Sequence, residues 1–184
     1  LDDRPTIGRA LLLLGNLEMM RKDYDRARSL HLEALTRFWN ICDRAWEALA
    51  LLDLGLDCQR QGDLVQAARY ADASLAITQA IGNRWDKLPT LRLLADIAYA
   101  RGDLDRAKRL LRESLALAWR EGSDREAADS LSGLGVVAVA AQDWEHAACY
   151  LGAAEALGEG YIGTYIGGGV QDVMAYVVAL LFLM

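Results

Sequence analysis

The chain has 184 residues, of which 53% are hydrophobic and 25% are charged, a balance typical of a folded soluble protein. Its net charge of −6 argues against direct nucleic-acid binding, which needs clustered Lys and Arg. Three cysteines without a CxxC pair argue against a zinc site and favour buried free thiols in a reducing cytosol, so we expect a cytoplasmic protein without a bound metal. The chain begins at Leu1, and we expect it to be a fragment of a larger protein.

The strongest pattern in the sequence is a repeat of 40 residues. A fixed period of this length predicts a solenoid of stacked units that bury their apolar faces on each other. Two columns hold leucine, one holds aspartate, one holds alanine and one holds Gly or Ala: Leu11, Leu51, Leu91, Leu131; Leu14, Leu54, Leu94, Leu134; Asp23, Asp63, Asp103, Asp143; Ala27, Ala67, Ala107, Ala147; and Gly15, Gly55, Ala95, Gly135. The small columns let paired helices approach closely.

Each period contains two predicted helices, because apolar residues recur at i, i+3, i+4 and i+7 in both halves. The four repeats cover about residues 5–42, 43–82, 83–122 and 123–157. In the second repeat the helices are predicted over about residues 44–60 and 64–81. The sequence therefore predicts an all-α fold.

Short breaks separate the predicted helices. Gly62 and Gly102 tolerate the left-handed conformation that follows a helix end, and the aspartate after each can cap the next helix. Gly82 and Asn83 close the second repeat, and Ser123 opens the fourth with a capping box.

The pattern fails after residue 157. Residues 158–169 are predicted to form a Gly-rich linker, and residues 170–184 an apolar helix whose only charge is Asp172. Its apolar run is too short to span a bilayer. Either it caps the fourth repeat or it forms a self-association surface.

No combination of residues predicts catalysis, and we expect no cofactor. Paired carboxylates can do acid–base work, but one aspartate per repeat at a helix start favours capping. The glycines of 167–169 lack the lysine and the preceding strand of a phosphate-binding loop. His31 and His146 lie in second helices, away from any nucleophile. We expect the tryptophans to pack in the core and between repeats, with a ligand-stacking role for one or two left open: Trp39, Trp46, Trp85, Trp119 and Trp144.

The repeated columns resemble the tetratricopeptide repeat. That family places Leu followed by Gly or Ala midway through its first helix, and a small residue early in its second. The matching residues, within roughly 5–157, are Leu14-Gly15 with Ala27, Leu54-Gly55 with Ala67, Leu94-Ala95 with Ala107, and Leu134-Gly135 with Ala147. The resemblance implies a right-handed α-solenoid of about four helical hairpins plus a C-terminal helix.

The period of 40 exceeds the family's usual 34, so we expect second helices about a turn and a half longer. The amino-acid sequence of the repeats is similar to that of the long repeats in bacterial signal-transduction ATPases and LuxR-type regulators like the maltose regulator. In those proteins the repeats follow a nucleotide-binding module and serve as a sensor or a scaffold.

The family's groove is lined by its first helices. Carried over by position, the groove residues are Asn16, Met19, Leu52, Leu56, Gln59, Arg92, Asp96, Tyr99, Asp129 and Ser132. They are apolar in the second repeat and polar in the third. They are explained either as a solvated charged surface or as contacts to a peptide or a small ligand.

The resemblance therefore implies a non-enzymatic scaffold that binds a protein or a peptide, within a bacterial signalling or transcriptional regulator. The alternative is a small-ligand sensor that controls an attached nucleotide-binding module. Neither hypothesis involves a membrane or direct contact with nucleic acid. A homodimer through the apolar C-terminal segment is consistent with both.

Overall fold

The computed structural model of the chain describes residues 4–157. This part of the chain contains eight α-helices and no strand, which confirms the predicted all-α repeat fold. The helices are α1 (Arg4–Met20), α2 (Tyr24–Asn40), α3 (Arg44–Arg60), α4 (Leu64–Ala80), α5 (Arg84–Ala100), α6 (Leu104–Arg120), α7 (Asp124–Ala140) and α8 (Trp144–Leu157). The predicted linker over 158–169 and the predicted helix over 170–184 lie outside the described residues.

The helices α1 to α7 are equal in length, with 17 residues each. The helix bounds predicted for the second repeat agree with α3 and with α4 to within one residue. The expectation of longer second helices is wrong, because the first and second helices share the added length of the repeat. Antiparallel helices of equal length can cover each other's apolar faces over their whole length.

A three-residue loop of one type joins each pair of consecutive helices. Its middle residue is left-handed in all seven loops, at Lys22, Cys42, Gly62, Gly82, Gly102, Gly122 and Gln142. After α2, the N–H of Cys42 donates to the Trp39 carbonyl and the N–H of Asp43 donates to the Phe38 carbonyl, both at 3.0 Å. These are the two hydrogen bonds of a Schellman motif, which satisfies the last carbonyls of a helix.

The third residue of each loop caps the helix that follows. Oδ1 of Asp23, Asp63 and Asp103 accepts the backbone N–H three residues ahead at 3.0–3.2 Å, as the sequence predicts. Oδ1 of Asn83 accepts the backbone N–H of Asp86 at 3.2 Å, so Asn83 caps α5 as well as closing the second repeat. The loop therefore recurs every 20 residues, at half the sequence period.

The described chain divides into two compact units, with the boundary between Ile97 and Ala98 inside α5. In unit 1, α1 packs on α2, α2 on α3, and α3 on α4. Its core includes Phe38, whose ring stacks on Trp46 with centroids 5.7 Å apart. In unit 2, α6 packs on α7 and α7 on α8.

The small columns lie where helices pack most closely, as predicted. All four alanines of the column at 27, 67, 107 and 147 are fully buried. A methyl group at Gly15 would overlap the His31 ring, and one at Gly135 would lie 2.5 Å from Cδ2 of Leu151. A larger residue in these columns would push the two helices of a hairpin apart.

Two expectations about side-chain burial need correction. Of the three cysteines only Cys58 is buried, because Cys42 lies in a loop and Cys149 on the outer side of α8. Three of the tryptophans are exposed rather than packed: Trp39, Trp85 and Trp119. Trp46 and Trp144 are partly buried against apolar clusters.

Candidate functional site

The candidate groove residues all lie on first helices, and most are half-buried. Unit 1 carries Asn16 and Met19 on α1, Leu52, Leu56 and Gln59 on α3, and Arg92 and Asp96 on α5. Unit 2 carries Tyr99 at the end of α5, and Asp129 and Ser132 on α7. Leu52 differs from the rest, because it is buried and offers a partner almost no surface.

Several of these residues already have partners within the chain. Oγ of Ser132 donates to the Ala128 carbonyl at 2.9 Å, one turn earlier in α7. Arg92, Asp96 and Asp129 each take part in an interaction of their own. Tyr99 is exposed, and it is therefore the large side chain of the set most accessible to a partner.

The 40-residue columns identify four more residues on the same face of the first helices. Leu49 and Pro89 share the column of Asp129, Val136 shares that of Leu56 and Asp96, and Val139 shares that of Gln59 and Tyr99. All four are half-buried. Sequence reasoning missed them because it carried over only part of each column. They make the face of α7 more apolar than the predicted residues alone.

Unit 1 also contains a polar cluster that was not predicted. It consists of Asn16 on α1, His31 on α2, and Asp53 and Asp57 on α3. Nδ1–H of His31 donates to Oδ2 of Asp57 at 2.6 Å, and both side chains are fully buried. Asn16 neighbours Asp53 and opposes the rise in the pKa of its carboxyl. Asn16 is thus the one member of the polar cluster that is also a candidate groove residue.

Burial and charge shift the pKa values in this cluster. Burial raises the pKa of Asp53 to about 7, against the opposing charge of His31, and the neighbouring Asp57 adds to the rise. For His31, burial alone would lower the pKa, but the hydrogen bond to Asp57 and the charges of Asp53 and Asp57 raise it overall. Both groups therefore hold a proton more tightly in the folded chain than in an unfolded one.

Three oxygens of the polar cluster have no hydrogen-bond partner among residues 4–157, although they are buried. They are Oδ1 of Asn16, Oδ2 of Asp53 and Oδ1 of Asp57. A proton on Asp53 relieves part of this unfavourable arrangement, because a neutral carboxyl is both a donor and an acceptor. The column of Asp57 in the later repeats holds Ile97 and Val137, so the sequence carried a signal for the cluster.

Among the described residues, no group of His, Cys, Asp and Glu side chains has an arrangement that could hold a metal ion. Within residues 4–157, no helix is long and apolar enough to cross a membrane.

Comparison with known families and structures gives one sequence match and many matches in fold. Residues 6–80 match the family described as Tetratricopeptide repeat. No curated protein matches the chain. The crystal structure of BtubC from P. vanneervenii has 19% sequence identity and a TM-score of 0.75, over 91% of this chain and 70% of that one.

Two further similar structures are Rap proteins. The apo form of RapI has 16% identity and a TM-score of 0.75, over 93% of this chain and 48% of its own. The Rap conjugation gene regulator of the plasmid pLS20, in complex with the Phr peptide, has 19% identity and a TM-score of 0.71, over 79% of this chain and 41% of its own. The chain thus spans about half the length of these proteins or less, and at these identities the likeness concerns the fold.

Proposed function

Because residues 6–80 match the tetratricopeptide repeat, we propose that the chain is a non-enzymatic scaffold that binds a protein or a peptide through the half-buried face of its first helices that carries the candidate groove residues. The similar Rap structure with a bound peptide supports this proposal at the level of the fold. The proposal extends to a cytoplasmic bacterial regulator as the larger protein, with neither nucleic acid nor membrane as a direct partner.

The observation that carries the proposal is the composition of this face. In α3 it presents Leu49, Leu56 and Gln59, a largely apolar patch that is only half-buried. The fully buried columns of the same helices pack the hairpins, so they are not available to a partner. Half-buried apolar side chains between polar ones are typical of surfaces that bind peptides.

Selection from a displayed peptide library tests the proposal, because it works with a partner whose identity is unknown. We expect peptides to be enriched on the chain, and Leu56→Ala and Gln59→Ala, both in unit 1, each to weaken binding of a peptide selected on that unit about tenfold or more. Trp39→Ala is the matched control, since Trp39 is an exposed aromatic residue on a second helix. It should leave binding unchanged. Thermal unfolding of each variant checks that the fold is intact.

Two outcomes would overturn the proposal. Failure to enrich any peptide above a library panned on blank support would count against peptide binding. A selected peptide that tolerates Leu56→Ala and Gln59→Ala but is lost in Trp39→Ala would place binding on the second helices instead.

The second candidate function is a small-ligand sensor. It is favoured by Arg92, Asp96 and Tyr99, which share one face of α5 at i, i+4 and i+7 and join a charged group to an aromatic ring. Isothermal titration with small metabolites separates the two functions. A saturable heat that disappears in both Arg92→Ala and Tyr99→Ala would support the sensor, and its absence would favour the scaffold.

A further inference from the structure

An apolar stripe runs along the outer face of α1. It consists of Ile7, Ala10, Leu13, Leu14, Leu17 and Met20, and all six are exposed. Leu13 is 66% exposed, Leu17 52% and Met20 78%. No charged residue interrupts this series, whose spacing of three to four residues keeps it on one side of the helix. An exposed apolar face of this extent is typical of an interface.

Four of the six columns, those of Ala10, Leu13, Leu14 and Leu17, are buried in every later first helix. Leu14 corresponds to Leu54, Leu94 and Leu134, which are all buried. Leu17 corresponds to Ile97 and Val137, which are buried too. The difference therefore lies in what packs on each helix rather than in the type of residue.

In the later repeats the preceding second helix covers these columns. Ser74 of α4 contacts Thr90 of α5, with the hydroxyls 3.2 Å apart, and Ser130 of α7 donates to Ser114 of α6 at 2.9 Å. Ala10 of α1 occupies the column of Thr90 and Ser130. The stripe is thus the continuation of an interface that already exists within the chain.

The residues of the stripe also indicate what kind of helix fits it. Where α3 has Asp53 and Asp57, the covering helix presents His31. Where α7 has Gly133, the covering helix presents Leu111, which fills the space next to the glycine. Small residues thus face large ones, and charged residues face charged ones.

The arrangement at α5 is the nearest precedent for α1. There Leu93 and Ile97 are both large, and the covering helix α4 has Ala71 in the column of His31 and Leu111. Leu93 reaches Gly55, next to the backbone of Ala71. Since α1 has Leu13 and Leu17 in the columns of Leu93 and Ile97, it fits a helix like α4, with alanine at that position.

We propose that the apolar stripe of α1 is a docking surface for a further helical hairpin of this same repeat type, whose second helix presents small residues as α4 does. The surface is separate from the half-buried face proposed to bind a peptide, so the two proposals can fail independently. The hairpin is bound by apolar burial and close packing, because the stripe offers no charge to recognise.

A graft of the chain's own second hairpin provides the test. Residues 44–83 are placed directly ahead of Arg4 in the full chain, so that the copied Asn83 precedes Arg4 as the native one precedes Arg84. Leu17→Gln is then introduced with and without the graft. We expect the graft to make this substitution more damaging, with a thermal midpoint lowered by about 5 °C more than in the ungrafted chain. Leu32→Gln is the control, because Leu32 is an exposed leucine of α2 outside the stripe.

The expected result is a graft-dependent effect at Leu17 and none at Leu32. An equal effect of Leu17→Gln in both chains, including the case in which the grafted hairpin does not fold, would overturn the proposal. Sedimentation of the ungrafted chain tests whether a second copy of the chain occupies the stripe instead. If the chain is a dimer that Leu17→Gln converts to a monomer, a second copy covers the stripe and the proposal is wrong.

Discussion

The polar cluster of Asn16, His31, Asp53 and Asp57 stands in a part of unit 1 that the repeat pattern would fill with apolar side chains. Asp53 has pKa values of 3.8 when unfolded and about 7 when folded, so the folded chain holds its proton across that interval. The stabilising contribution of this proton is complete below pH 3.8 and is lost as pH rises through 7. His31 acts in the same direction, because its pKa is raised as well, from 6.5.

We therefore expect the wild-type chain to lose stability as pH rises from about 5 to about 8. Asp53→Asn should remove much of this dependence, because the amide stays neutral as the protonated carboxyl does. The difference between the two chains should reach at most about 4 kcal/mol, which is the free-energy equivalent of the pKa shift from 3.8 to about 7. Urea unfolding followed by circular dichroism at several pH values measures it.

Asp72→Asn is the control for this experiment, because Asp72 is an exposed aspartate on α4. Its pH dependence should match the wild type. If Asp53→Asn also matches the wild type, the carboxyl of Asp53 does not carry the raised pKa, and the cluster is not the source of the pH dependence.

The sequence could have revealed this cluster only through a comparison of columns. His31 by itself is a histidine on a helix, and Asp57 by itself is a charged residue next to Cys58. Their proximity depends on α2 packing across α3, which is a property of the tertiary fold. The capping aspartates were predictable, by contrast, because a cap bonds to an N–H only three residues away.

At the scale of the element, one loop is used seven times with different middle residues. Gly102 has a φ of +78°, and a methyl group there would meet no atom within 4 Å. A substitution at Gly102 therefore tests backbone strain alone, without a steric clash. Lys22, Cys42 and Gln142 adopt the same left-handed conformation with a full side chain, and this costs each of them about 1–2 kcal/mol.

We expect Gly102→Ala to lower stability by about 1 kcal/mol, through backbone strain alone. Gly152→Ala is the matched control: this glycine lies within α8, and its added methyl also meets nothing within 4 Å. It should raise stability by up to about 1 kcal/mol, because alanine favours a helix interior. Gln142→Gly should raise it by a similar amount. If the two Gly→Ala variants shift the denaturation midpoint in the same direction, the left-handed conformation is not what matters.

Helix boundaries were largely predictable because glycines and caps mark them locally. The 40-residue period alone gives only the sum of the two helix lengths, and the break at Gly62 divides that sum about equally in the second repeat. The left-handed conformation of Cys42 was not predictable, because cysteine has no preference for that conformation, whereas glycine does.

At the scale of the whole chain, the described residues form two compact units, and the three cysteine thiols in them differ in burial. Cys58 is fully buried in unit 1, whereas Cys42 in the same unit and Cys149 in unit 2 are exposed. Burial raises the pKa of Cys58, against the lowering effect of Arg28. Because the thiolate is the reactive form, Cys58 should react only when unit 1 opens.

We expect a thiol reagent to modify two cysteines quickly in the native chain and the third at least about a hundredfold more slowly. In the double variant Cys42→Ser, Cys149→Ser, the rate at Cys58 then follows the open population of unit 1. At pH 8 Asp53→Asn should slow this reaction, because it stabilises unit 1, while Asp72→Asn should leave it unchanged. Equal rates at all three thiols would contradict the burial of Cys58. If Asp53→Asn leaves the rate of modification at Cys58 unchanged, the opening that exposes this thiol leaves the polar cluster intact, although Asp57 and Cys58 are adjacent in α3.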